Sequence, residues 1–171
     1  MSVSSQLSAS KRMADGKLWT TQNLNVTTIP SYCYDDADEN CRRYGRLYTW
    51  ESARQGCPSL GNGWRLPSED EWRQLVKHYG ALLEESAAGS KASFAALMTG
   101  GTSGFDAVLG GGRADIDGTY ARIDAHGFYW TATETGADHA WFYNFGKGLP
   151  AVNRHRTGEK KRAFAVRCVR D

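Results

Sequence analysis

The decapeptide Gly63-Trp64-Arg65-Leu66-Pro67-Ser68-Glu69-Asp70-Glu71-Trp72 decides how this chain is read. Pro67 pushes Leu66 toward extended geometry. Ser68 then offers its hydroxyl as an N-cap, and Glu71, three residues later, completes a capping box. Glu69 and Asp70 place negative charge in the first turn, where the helix dipole favours it. Trp72, Leu75, Val76 and Tyr79 follow at helical spacing, and Gly80 is a stop signal. The tract predicts an extended piece turning into an amphipathic helix over 68–79. None of its groups is arranged for chemistry, so it reads as scaffold.

Working outward, residues 44–56 contain Leu47, Tyr48, Trp50 and Ala53, a pattern that predicts a first short helix ending near Gly56 and Pro58. Residues 81–98 are rich in Ala, Ser and Glu and predict a further helical turn or two, interrupted by Gly89. The stretch 16–25 mixes apolar and polar positions as an edge strand does. From Gly100 onward, glycine-rich punctuation separates short apolar runs at 105–109, 120–123, 128–133, 141–145 and 163–169, which read as strands. In the last run Phe164, Val166 and Cys168 share one face, and Ala165, Arg167 and Val169 share the other. The first set is the expected core face, which points Cys168 inward. In 141–145 the odd positions Trp141, Tyr143 and Phe145 are all aromatic, and Phe142 breaks the alternation. Helices in the first half and short strands in the second argue for an α+β fold: two helices packed on short antiparallel sheets, rich in loops.

The 171 residues fit one domain, expected over 16–171, with 1–15 as a flexible, Ser-rich lead without the apolar core of a signal peptide. Twenty aromatics are many for this length, and aromatics dominate cores and interfaces. A net charge of +2 does not point to nucleic acid. Residues 139–171 nevertheless carry +6 against −4 for the rest, which is either a solvated face or a surface that meets an acidic partner. No stretch approaches the roughly 20 apolar residues of a membrane span.

Four cysteines, Cys33, Cys41, Cys57 and Cys168, allow three connectivities. A short acidic loop joins Cys33 to Cys41, so a local bridge is natural, and Cys57 then pairs with Cys168. Bridges place the chain in an oxidising compartment. The alternative is four reduced, buried thiols. The irregular spacing lacks the CxxC pairs of a zinc site.

Motifs for catalysis are weak. His78, His126, His139 and His155 stand at no metal-ligand spacing. There is no Gly-x-Ser-x-Gly elbow, and Gly110-Gly111-Gly112-Arg113 lacks the ending of a phosphate-binding loop and reads as a flexible turn. The acidic residues 35–39 lack the glycine and terminal glutamate of an EF-hand. Neither a metal nor a cofactor is expected, and the chain reads as non-enzymatic.

Several ordered motifs carry a resemblance. They are Gly16-Lys17-Leu18-Trp19, Ser31-Tyr32-Cys33-Tyr34, Tyr44-Gly45-Arg46-Leu47-Tyr48-Thr49-Trp50, Gly63-Trp64-Arg65-Leu66-Pro67, Gly127-Phe128-Tyr129-Trp130-Thr131-Ala132-Thr133-Glu134 and Phe164-Ala165-Val166-Arg167-Cys168-Val169. From Gly16 onward the chain resembles the Fibrobacter succinogenes major paralogous domain family. That resemblance implies a C-type-lectin-like fold and supports the Cys33–Cys41 and Cys57–Cys168 pairing. It also implies an extracellular, cell-surface or virion setting in bacteria or phage.

The fold is shared with variable proteins of diversity-generating retroelements, in which adenine-directed mutagenesis rewrites a C-terminal binding surface. Residues 138–157 fit that pattern. Asp138, His139, Tyr143, Leu149, Ala151, Asn153, His155, Arg156 and Thr157 all belong to the reachable set, and Trp141 is either an anchor or a core residue. The implied role is binding of an unknown protein or surface ligand through a paratope-like mixture of rings and adaptable hydrogen bonds. The Glu-Pro-Asn type of calcium–sugar triplet is missing. Two alternatives remain: a structural or adhesive surface or virion protein, and an enzyme like the formylglycine-generating enzymes, which use a reactive cysteine pair on a related fold.

Overall fold

The computed structural model describes residues 9–171. Two strands, β1 (Ser10–Arg12) and β2 (Leu18–Thr20), open it. Four helices follow: α1 (Asp38–Tyr44), α2 (Trp50–Gly56), α3 (Glu69–Lys77) and α4 (Ala87–Leu97). The strands β3 (Gly110–Arg113), β4 (Tyr120–Ile123), β5 (His126–Glu134), β6 (His139–Gly146), β7 (Ala151–Glu159) and β8 (Val169–Arg170) complete an α+β chain. One sheet has the order β1-β2-β8 and the other β4-β3-β5-β6-β7. All pairings are antiparallel except β3 on β5, which is parallel through Gly111 and Gly127.

The capping box forms as the sequence dictates. Ser68 Oγ accepts from the Glu71 N–H at 3.1 Å, and the Glu71 carboxylate accepts from the Ser68 N–H at 3.1 Å. The apolar stripe of α3 (Trp72, Leu75 and Val76) is wholly buried. It packs with Trp19, Phe105, Tyr129, Tyr143, Phe145 and Val152 into one core. A second core gathers Trp50, Ala53, Trp64, Leu66, Trp130, Phe164 and Val166 around Cys57 and Cys168. Both disulfides are present, Cys33–Cys41 and Cys57–Cys168, with Cα–Cα distances of 5.0 and 5.5 Å.

Several expectations need correction. The helix expected over 44–56 forms only as α2 from Trp50, because Leu47 exchanges backbone bonds with Tyr32 and Tyr48 with Phe164, which keeps the chain after α1 extended until Thr49 caps α2. The Ala-rich segment forms three turns of α4, capped by Ser86, with Gly89 inside the first turn rather than breaking the helix. β2 is the central strand of its sheet, not an edge. Structure begins before Gly16 within the expected lead: β1 pairs with β2 and Met13 is buried, while residues 1–8 of the lead lie outside the described residues. The run 105–109 forms only a bridge from Ala107 to Met98.

The closing run 163–169 is an extended thread between the two cores, buried on both faces, so its parity does not separate core from solvent. Arg167 is completely buried. Its guanidinium donates to Asn23 Oδ1 at 2.8 Å, to the Thr20 carbonyl at 3.0 Å and to the Asp106 carbonyl at 2.7 Å, and it lies 4.4 Å over the Phe105 ring. Carbonyl oxygens thus replace the water that a buried cation loses.

The outer edge of β7 is occupied at Val152. The Val152 N–H donates to Ser90 Oγ of α4 at 2.7 Å, and the Val152 carbonyl accepts from the Leu83 N–H at 3.0 Å.

Candidate functional site

β5, β6 and β7 pair along most of their length, and residues opposite one another share a face. One face carries Tyr129, Tyr143, Phe145 and Val152 against the helices. Tyr143, expected on the binding surface, is therefore core. Its ring stacks on Trp72, and its hydroxyl donates to Glu69 Oε1 at 3.0 Å. Burial together with the neighbouring Glu69 pushes its phenol far above the usual range. Ala151, also expected in the site, is buried where β7 begins.

The opposite face carries His126 and Phe128 from β5, Phe142 and Asn144 from β6, and Asn153 and His155 from β7, all half-buried. Their planar groups are ordered against one another. His126 stacks on Phe128 at 5.6 Å with an interplanar angle of 3°, and Phe142 stacks on His155 at 5.0 Å and 28°. Phe128 meets Phe142 edge to face at 6.0 Å. A ring nitrogen of His126 pairs with Asn144 Oδ1 at 2.9 Å. Burial, with His126 nearby, lowers the His155 pKa from its ordinary 6.5, so its imidazole is neutral at pH 7. The array presents ring faces and amide groups on strands held by ladder hydrogen bonds, which suits recognition with little ordering cost.

The remaining expected residues do not join this array. Trp141 and Arg156 lie together beside Arg154, whose guanidinium sits 4.8 Å over the Trp141 ring. Arg154 also binds Glu84 (Nε to Oε1, 2.7 Å) and Glu69 (2.7 Å). Asp138 and His139 line a separate groove of about 890 Å³ with Tyr32, Arg113 and Lys160. Leu149 stands in the β6–β7 turn with 87% of its surface exposed, and Thr157 is exposed near the register shift that faces Trp141. Of the ten residues expected from the sequence, only Asn153 and His155 lie on the ring array. Sequence reading missed His126, Phe128, Phe142 and Asn144. The alternation of His126 with Phe128 and of Phe142 with Asn144 was the available signal.

At least three of the eight cations of the basic tail are engaged within the molecule. Arg154 pairs with Glu69 and Glu84, Lys160 with Glu134, and Arg167 is enclosed. All four cysteines are bonded. Among the described residues no three His, Cys, Asp or Glu side chains converge as a metal site requires.

The architecture is that of an α+β domain tied by two disulfides, with one sheet face that the second core covers at Trp130 and leaves half-open at the ring array. The Fibrobacter succinogenes major domain model matches residues 8–170, and the chain belongs to that family. No curated protein matches the chain. The two bridges are compatible with an extracellular protein, and no described helix is long and apolar enough to cross a membrane.

Proposed function

We propose that this chain is a non-enzymatic ligand-binding domain of the C-type-lectin-like type, displayed outside the cell. Its binding surface is the half-open part of the five-stranded sheet that carries the ring array. The observation that carries this reading is the array of His126, Phe128, Phe142 and His155, half-buried in two stacked pairs and flanked by Asn144 and Asn153. Rings of this kind supply contact area at low entropic cost, and amides adapt their hydrogen bonds to the partner. The surface is narrower than the whole of 138–157, and it draws on β5 and β6 as well as β7.

Diversification by a retroelement is part of the proposal. Asn153 and His155 are, among the residues singled out from the sequence for adenine-directed rewriting, the two that stand on this face. An adjacent reverse transcriptase gene with a near-identical template repeat is the expected genomic context, and its absence sinks this part. The binding role is tested by screening the oxidised protein on glycan and peptide arrays. Hits should be lost in Asn153→Ala and His155→Ala proteins that melt like the parent. Hits indifferent to both changes would move the site elsewhere.

A further inference from the structure

Next to Phe128 and Phe142 the open face deepens into a cavity of about 240 Å³ beneath the β3–β4 hairpin. Its floor is three phenylalanine rings. Phe164 lies 5.2 Å from Phe128 and 4.8 Å from Phe142, centroid to centroid. Phe164 is buried and the other two rings are half-buried, and β3 adds no side chain over them because it contributes Gly112, where a Cβ would come within 3.2 Å of Phe164 and 3.3 Å of Phe128. The residue paired with it on β4 is only Ala121.

The walls are cationic. Arg113, Arg122 and Arg162 line the cavity against one carboxylate, Asp117. Arg113 is clamped with its guanidinium carbon 4.0 Å over Tyr32 and 5.8 Å over Tyr120. Its Nε–H is buried without a hydrogen-bond partner. Neither Arg113 nor Arg122 forms an ion pair among the described residues, and Arg162 reaches only the half-exposed Glu159 at 3.4 Å. A guanidinium held over a ring, with a donor to spare, is preorganised for an oxyanion.

We infer that this cavity binds a planar aromatic ring bearing a carboxylate on a short arm, with the ring on the three phenylalanines and the anion toward Arg113. The inference deepens the binding role proposed for the same face and rests on it. The size fits, since a cavity of about 150 Å³ already accepts benzene, which leaves room here for a short substituent. Like charge on the walls disfavours the same ring carrying an amine. The chemistry has two sources: a free aromatic acid, or a phenylalanine at the C-terminus of a peptide.

The test is an amide chemical-shift titration of the oxidised protein with phenylacetate, benzylamine, acetate and N-acetyl-Gly-Gly-Phe, the last with either a free or an amidated terminus. Phenylacetate should shift Gly112, Ala121, Phe128 and Phe142 saturably, with benzylamine and acetate weaker by about tenfold or more, one ion pair's worth of affinity. Tighter binding of the free-terminus tripeptide than of phenylacetate identifies a peptide end, and the reverse order identifies a free acid. Arg113→Gln should weaken phenylacetate by about tenfold. Ala121→Leu, which fills the cavity without touching its charge, should block it. Benzylamine binding as well as phenylacetate, or no saturable shift at these residues, overturns the inference. If array ligands still depend on His155 in that case, the binding role of the face survives and only this assignment fails.

Discussion

The ring of Tyr143 lies on the indole of Trp72, with centroids 5.4 Å apart and planes at 20°, and this contact joins the centre of the large sheet to the capped helix. The Tyr143 hydroxyl extends the contact into the Glu69–Arg154 pair. Tyr143→Ala should therefore destabilise by about 3–5 kcal/mol, the range for removing a buried aromatic. Tyr143→Phe should cost about 1 kcal/mol, the net worth of the hydrogen bond. Denaturant midpoints measure both. A fully stable Tyr143→Ala protein would return this residue to the surface.

Arg154 satisfies the buried Glu69 and stacks on Trp141. Arg154→Ala leaves that carboxylate without its cation. The expected loss is about 2–3 kcal/mol, below the range for a fully buried pair because Arg154 is itself partly exposed. Arg154→Lys should recover only part of it, since an ammonium cannot serve Glu84 and Glu69 as one fork. Urea unfolding of the three proteins checks the order.

The two bridges should differ in weight. In the chain-entropy model a separation of 111 residues is worth about 5 kcal/mol and one of 8 residues about 2–3 kcal/mol. Replacing Cys57 and Cys168 by Ser should lower the melting temperature more than replacing Cys33 and Cys41. The native protein should show no titratable thiol. Equal melting temperatures for the parent and the Cys57/Cys168 variant would contradict the long bridge.

Stability should fall in two stages on acidification. Burial depresses the His155 pKa, so its unfolded form takes up a proton first, and stability is lost as pH drops below about 6.5 toward the folded value. His155→Gln should flatten that limb. Burial tends to raise the Glu71 carboxyl, but hydrogen bonds from Arg65 and the Ser68 N–H, with Lys17 nearby, outweigh it and hold the pKa below 4.5. Its contribution is present above 4.5 and lost below. Asp70 beside Arg73 and Asp171 beside Lys17 share that second limb. Midpoints measured from pH 7 to pH 3 test both stages.

On the open face, His155→Ala and Asn153→Ala should change stability by less than about 1 kcal/mol, because both side chains remain partly solvated. Calorimetry on each variant separates this from a core role.

What was legible in the sequence was local or covalent. The capping box of α3 needs only residues 68–71, and the cysteine pairs follow from a short loop and the remainder. β4 shows at 120–123 because its pattern and flanking turns are its own. β3 was illegible as Gly110-Gly111-Gly112-Arg113, since glycines carry no periodicity. Their reason is steric and distant: a Cβ on Gly111 would come 2.6 Å from the Ala121 carbonyl. β7 looked like a polar surface stretch, since Asn153, Arg154, His155 and Arg156 have little strand preference of their own, and pairing with β6 makes the strand. The site was half legible for the same reason. Parity puts Tyr143 and Asn144 on opposite faces, but only the distant Trp72 says which face is covered. Arg167 gave no hint of burial, because the carbonyls that hold it come from the segments around 20 and 105.

Ser90 and Leu83 close the outer edge of β7 at Val152. An edge strand with open donors and acceptors is a template for pairing with other chains. Here the strand that carries Asn153 and His155 has the backbone groups of Val152, near its start, engaged from the side by a helix and a loop. Exchanging Asn153 or His155 leaves this edge contact in place, because both backbone groups that make it belong to Val152.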